Sequence, residues 1–146
     1  MTNASDFSSA QEQDFNRRNI AEFQANGGKV GGPFDGVDLL LLHTVGAKSG
    51  QPRLHPLAYF DIDGARYIVG SAAGRDADPA WVANVRANPE VRIEVGGAAP
   101  AAARVRKLPD AERNPVFAEI ARRSSAFAAY QDATDRVIPV FEVLPA

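Results

Sequence analysis

The chain has no cysteine, a single methionine, a single tryptophan and two histidines in 146 residues. Without thiols there is no disulfide scaffold, no Cys-ligated zinc or iron–sulfur centre and no thiol nucleophile. Charge of one sign is also missing: 16 basic residues meet 18 acidic ones, a net of -2. Nucleic-acid binders carry a basic excess, so no nucleic-acid partner is expected. Long apolar runs are absent. The longest run of branched aliphatics, Leu39–Leu42, is far short of the ~20 residues that span a bilayer, so no integral membrane segment is expected. No basic stretch followed by an apolar core opens the chain, so no signal peptide is expected and the chain reads as cytoplasmic. What is present is ordinary globular composition, 45% hydrophobic and 23% charged, enough for one core in one domain.

Residues 1–14 read as a flexible polar segment and 15–146 as a single domain. Ser9-Ala10-Gln11-Glu12 has the form of a capping box. Phe15, Asn19, Ile20 and Phe23 share one helical face, and Gly27-Gly28 stops the helix, which is expected over Ala10–Ala25. A loop with five glycines and one proline over Gly27–Gly36 leads into a strand over Val37–Val45, buried on both faces. Arg53–Ile62 alternates as a second strand, Asp63-Gly64 is a two-residue hairpin signal, and Ala65–Gly70 returns. A small-residue loop, Ser71-Ala72-Ala73-Gly74, precedes a helix with Asp78 expected at the N-cap and Pro79 at the first helical position. Val91, Ile93 and Val95 alternate in a half-exposed strand. Gly96-Gly97 turns it, and its partner runs over Ala101–Leu108. Helices over Ala111–Arg123 and Ala126–Ala133 and a strand over Ile138–Leu144 complete the chain. The connections are mostly too short for parallel crossovers. An α+β fold follows, with about six antiparallel strands partly closed into a small barrel and flanked by helices.

The most informative segment is Gly46-Ala47-Lys48-Ser49-Gly50-Gln51-Pro52-Arg53. Its N–H groups and Lys48 can address an anion, on which Arg53 can close bidentately. An ordinary basic hairpin turn has the same composition. It is not a Walker A loop, since here the glycine follows Lys-Ser. After the small-residue loop, Trp81 offers an aromatic wall or simple core packing, and Asn84 by itself reads as a surface helix residue. His43 reads as a hydrogen-bonded core residue, and His55, on the face of Arg53, can face the anion site. Neither histidine has an acidic partner at metal-ligand spacing, so no metal is expected. Phe127 and Tyr130 share a helical face, with Tyr130 either an anchor or a phenol donor. Asp135 and Arg136 read as an ion pair of no legible role. Acid–base equipment is sparse, which suits a protein that positions a borrowed cofactor.

The chain resembles the deazaflavin (coenzyme F420)-dependent nitroreductase family. The match is carried by Leu40-Leu41-Leu42-His43-Thr44-Val45-Gly46-Ala47-Lys48-Ser49-Gly50-Gln51-Pro52-Arg53, His55-Pro56-Leu57, Pro79-Ala80-Trp81 with Asn84, and Arg86-Ala87-Asn88-Pro89-Glu90-Val91. Tyr130-Gln131, Thr134-Asp135-Arg136 and Ile138-Pro139-Val140 complete it.

The resemblance implies a split β-barrel and an F420H2-dependent oxidoreductase. It would pass a hydride from the deazaflavin C5 to an electron-poor small molecule such as a quinone, a nitro compound or an activated alkene. It implies that Lys48, Ser49 and Arg53 hold the cofactor's phosphate and acidic tail, with Ala47 among the residues that line it. Leu54, His55, Pro56, Leu57 and Ala58 would run beside it. Val69, Gly70, Ser71 and Ala72, with Ala80, Trp81, Val82, Ala83 and Asn84, would line the ring. Tyr130 would reach over it, and solvent or a hydroxyl such as Ser71 or Tyr130 would supply a proton. The family often has a basic residue where Ala47 stands and a tyrosine where Phe127 stands. A non-catalytic F420 carrier, an FMN-using reductase on the same barrel and a cofactor-free interaction domain are the other readings. The chain is expected to act as a monomer or homodimer.

Overall fold

The computed structural model describes residues 9–28, 38–96 and 98–146, with side chains from Arg17 onward except that of Ala73. The proposed polar segment 1–14 in large part, the side chains of the Ser9 capping box, most of the glycine-rich loop, Val37 and Gly97 lie outside the described residues. Helix α1 spans Ser9–Ala25, and strand β1 spans Leu39–Val45. Then follow β2 (Pro52–Ile62), β3 (Ala65–Val69), a one-turn 3-10 helix (Ala72–Gly74) and α2 (Ala80–Ala87). The chain ends with β4 (Glu90–Val95), β5 (Ala101–Lys107), α3 (Asp110–Arg123), α4 (Ser125–Asp132) and β6 (Val140–Pro145). The strands close into an antiparallel barrel in the order β1-β2-β3-β6-β5-β4, so no edge is left unpaired.

Side-chain alternation divides each strand between two environments. Inside the barrel, Leu40, Leu42, Ile68, Val91, Val105, Phe141 and Val143 form one core, which Trp81, Val82 and Val85 of α2 complete. Outside, Phe23 of α1 covers Leu39 and Leu41. Phe117 and Ile120 of α3 cover Val69 and Val140, joined by Phe127 and Tyr130 of α4. The four leucines of β1 are therefore buried on both faces, as a continuous apolar run predicts, two inside and two under α1. The Asp63-Gly64 hairpin forms with both residues at positive φ (52° and 83°), the conformation that dipeptide is suited to.

Several expected boundaries move by one or two residues, and three of the shifts have a visible cause. Pro79, in extended conformation (φ -65°, ψ 156°), takes the N-cap of α2 and Ala80 the first helical place, so Asp78 is not the cap. The carboxylate of Asp78 is drawn instead to Arg136, at 2.6 Å. The return strand stops at Val69: the Gly70 N–H still donates to Pro139 O (2.9 Å), opposite it in register, but Pro139 has no N–H to return and Gly70 O accepts from Arg136 instead (3.1 Å). The last strand starts at Val140, not Ile138. Pro139 has no N–H to give, and that of Ile138 goes to Gln131 Oε1 (3.1 Å).

Candidate cofactor site

One end of the barrel gathers nearly all the segments singled out in the sequence. There β1 ends, β2 begins, β3 ends and α2 plugs the opening. Residues 46–51 close the β1–β2 hairpin, whose last pair is Val45 with Pro52. The Gly46 N–H donates to Gln51 O (2.8 Å) and the Gly50 N–H to Gly46 O (3.0 Å). A Cβ at Gly46 would sit 2.4 Å from Ser49 Oγ, so a larger residue there would turn that hydroxyl aside. That hydroxyl accepts from the Gln51 N–H (3.2 Å) and from Arg53 Nη2 (3.4 Å). Lys48 and Arg53 are exposed, and neither has a carboxylate partner among the described residues. The segment is thus a hairpin turn that also carries two uncompensated cations beside a hydroxyl.

Asn84 corrects the reading of it as a surface residue. It is 6% exposed. Its Oδ1 accepts from the Ala47 N–H at 3.0 Å, and its Nδ2 donates to Thr44 Oγ1 at 3.1 Å. Both amide ends are spent inside the protein, so Asn84 ties α2 to the base of the cation loop.

On the other side of α2 lies the small-residue turn. Ser71 is right-handed helical (φ -75°, ψ -34°) and Ala72 takes φ +48°. Gly70 sits where a Cβ would strike Pro139 Cγ (2.9 Å) and Val82 Cγ2 (3.0 Å). Gly74, at φ +80°, lies against the backbone of Tyr130. Ser71 and Ala72 are half-buried, Val69, Gly70 and Val82 buried, and Ala80 and Ala83 exposed. Along β2, Pro56 is buried while Leu54, His55, Leu57 and Ala58 are half-buried.

Trp81 is 3% exposed and packs edge-on to Phe141, with ring centroids 5.3 Å apart. It is a core residue in this structure. Phe127 and Tyr130 share a face, as their spacing requires, with centroids 5.4 Å apart. The Tyr130 phenol makes no hydrogen bond to a described residue. His43 finds an acidic partner that spacing could not reveal: its Nε2 donates to Glu94 Oε2 at 2.6 Å, across the β1–β4 seam. No group of three or more metal-ligating side chains occurs among the described residues. His55 lies opposite Leu42 with Nε2 enclosed and without a hydrogen-bond partner. Burial first, then the positive charge of Arg53, pushes its pKa down to about 4. At neutral pH it adds no charge to the cation loop. Arg136 pairs with Asp78, not with its neighbour Asp135. A groove of about 540 Å3 lies at the opposite mouth of the barrel, lined by Asp61, Arg66, Ala102 and Val143 among others.

A closed six-stranded antiparallel barrel with a helical plug, and a basic hairpin at the plugged end, places the chain in the split β-barrel class. More narrowly, the profile of the F420H(2)-dependent quinone reductase family matches residues 15–145, and the chain belongs to that oxidoreductase family, whose cofactor is coenzyme F420. An F420H(2)-dependent quinone reductase of Mycobacterium tuberculosis strain H37Rv is 35% identical over 130 residues, 85% of either chain. Among solved structures, an F420-H2 dependent reductase superposes with a TM-score of 0.63 at 36% identity, covering 73% of this chain and 93% of its own. A chain described as a domain-swapped dimer superposes with a TM-score of 0.65 at 32% identity, covering 92% of this chain and 96% of its own. The fold is the split β-barrel that the motifs imply. No helix among the described residues is long and apolar enough to cross a membrane.

Proposed function

We propose that residues 15–146 form one F420-binding unit that reduces a small electron-poor acceptor, with quinones as the preferred class. The observation that carries this reading is the family match over residues 15–145. The chemistry of the barrel end fits the cofactor: Lys48 and Arg53, uncompensated on one exposed loop beside Ser49, suit a phosphate and an acidic tail. Ser71 and Ala72 keep backbone N–H groups without partners among the described residues, which suits the carbonyl oxygens of a planar ring.

Bound F420 in its reduced form supplies a hydride. The protein's part is to hold and to orient. Ala47, tied by its N–H to Asn84, fixes the loop from which Lys48 and Arg53 reach out. The short side chains of Ser71 and Ala72 leave room for a flat group. Reduction of a quinone by one hydride also takes a proton, which Ser71, Tyr130 or solvent delivers to the acceptor oxygen. The core around Trp81 keeps the barrel end rigid and dry, so that binding serves orientation.

The test is anaerobic oxidation of F420H2 by the purified chain with a quinone, with a nitroimidazole and with no acceptor. Turnover fastest with the quinone is expected. Binding of F420 with no oxidation by any acceptor would replace this reading with that of a carrier.

A further inference from the structure

We propose that Arg136 is a positioning residue of the reduction site: its guanidinium is the template on which the turn between β3 and α2 is folded. The inference rests on the reading of that turn as the ring-lining part of the F420 site. It concerns a residue whose role neither spacing nor composition suggests.

The Arg136 side chain is only 16% exposed and meets the turn from within. Nη1 donates to Gly70 O (3.1 Å) and to Asp78 Oδ1 (2.6 Å). Nη2 donates to Ser71 O (3.0 Å) and Arg75 O (2.9 Å), and Nε also donates to Arg75 O (3.2 Å). Three carbonyls from both flanks of the 3-10 turn and one carboxylate from the start of α2 thus converge on one planar fork. Only arginine presents donors in that geometry; a lysine ammonium carries the charge but cannot span it.

Arg136 is itself held. Its N–H donates to Thr134 Oγ1 (3.2 Å), which in turn donates to Asp76 Oδ1 (2.6 Å). Its carbonyl accepts from Gln131 Nε2 (2.7 Å), at the end of α4. The segment carrying Tyr130 and the turn are therefore joined through this one side chain and its neighbours.

The consequence follows from peptide geometry. All peptide bonds described are trans, so each C=O points opposite to the N–H of the same peptide plane. With Gly70 O and Ser71 O turned toward the guanidinium, the N–H groups of Ser71 and Ala72 point away from it. A right-handed residue followed by one at positive φ brings such N–H groups together as an oxygen-accepting concavity. Arg136 thereby holds the positive φ of Ala72 and aims two donors outward without touching what they meet.

The test uses Arg136→Lys in the full chain, with two readouts. The first is amide exchange at Gly74 and Arg75, whose N–H groups bond within the turn to Ser71 O and Ala72 O, with Gly50 in the cation loop as the internal reference. The second is fluorescence titration with F420. Exchange at Gly74 and Arg75 about tenfold faster, Gly50 unchanged, and F420 affinity about tenfold weaker are expected. Guanidinium ion, and not ammonium, should restore part of the affinity of Arg136→Ala. Where the lysine chain fails to fold by circular dichroism, Asp78→Asn keeps the fork among its carbonyls. It should accelerate the same two amides by a smaller factor. Unchanged exchange at the turn in the variant used overturns the proposal. So does faster exchange with wild-type affinity, since the turn would then be braced but irrelevant to the cofactor. If the wild-type chain binds no F420, the cofactor reading fails by itself, and the exchange arm still decides whether Arg136 holds the turn.

Discussion

The two segments at the end of the barrel are built in opposite ways. The cation loop, residues 46–53, offers side chains: Lys48, Ser49 and Arg53 are exposed, and its closest tie to the body is the bond from Ala47 to Asn84. The turn between β3 and α2, residues 70–78, offers backbone: Gly70 to Gly74 have short side chains or none, and the carbonyls of Gly70, Ser71 and Arg75 are gathered by a largely buried guanidinium. A flexible charged tail is well served by long side chains on a loop, because matching it needs charge and reach and little fixed geometry. A rigid ring is served by fixed backbone, because orientation is what accelerates hydride transfer.

The largest effect that separates the two halves comes from His55, at the base of the cation loop. Its folded pKa of about 4 lies below the usual 6.5. Above pH 6.5 the histidine is neutral in both folded and unfolded chains and has no effect on pH dependence. As pH falls from 6.5 toward 4 the unfolded chain takes up the proton first, and stability is lost across that window, by about 3 kcal/mol in all. Urea denaturation between pH 7 and 4 should show this slope in the wild type and a flatter one in His55→Gln. Equal slopes would mean that His55 gains a proton partner in the folded chain.

Asn84→Ala is the next step down, and it strikes the joint between the halves. It leaves the buried hydroxyl of Thr44 and the Ala47 N–H without partners, at a cost of about 2 kcal/mol. Chemical denaturation gives the stability change, and amide exchange at Ala47 should rise while that at Gly74 stays. A variant as stable as wild type would show that the cation loop does not depend on α2. The smallest effect on stability belongs to Lys48→Ala and Arg53→Ala. Both side chains are exposed and without acidic partners among the described residues, so each should shift unfolding by less than about 0.5 kcal/mol.

The same division explains what could be read in advance. The Asp63-Gly64 hairpin, the β1 leucines, the alternation of β2 and β4 and the shared face of Phe127 and Tyr130 follow from spacings of a few residues. So does the cation loop, since a hairpin with Lys48 and Arg53 in it is a local object. The bonds that shape the site are not local. Asn84 reaches Ala47 across 37 positions, His43 reaches Glu94 across 51, and Arg136 reaches Ser71 across 65. Each joins residues that only the folded barrel brings together, so from local sequence alone Asn84 reads as a surface amide, Asp78 as a helix cap and Arg136 as a partner of Asp135. The local signal is the polar cluster Thr134-Asp135-Arg136 a few residues before an apolar strand. Trp81 shows the converse: an aromatic side chain beside a small-residue loop suggests a ring platform, yet the barrel needs a plug, and burial against Phe141 uses it.

The most direct test of the account is a fluorescence titration of the purified chain with F420, and with FMN in parallel, for wild type and Arg53→Ala. Saturable binding of F420 and not FMN is predicted. The substitution should weaken F420 binding at least tenfold, about 1.4 kcal/mol, with an unchanged unfolding midpoint. Equal affinity of wild type and variant for F420, or no F420 binding by the wild type, would contradict it.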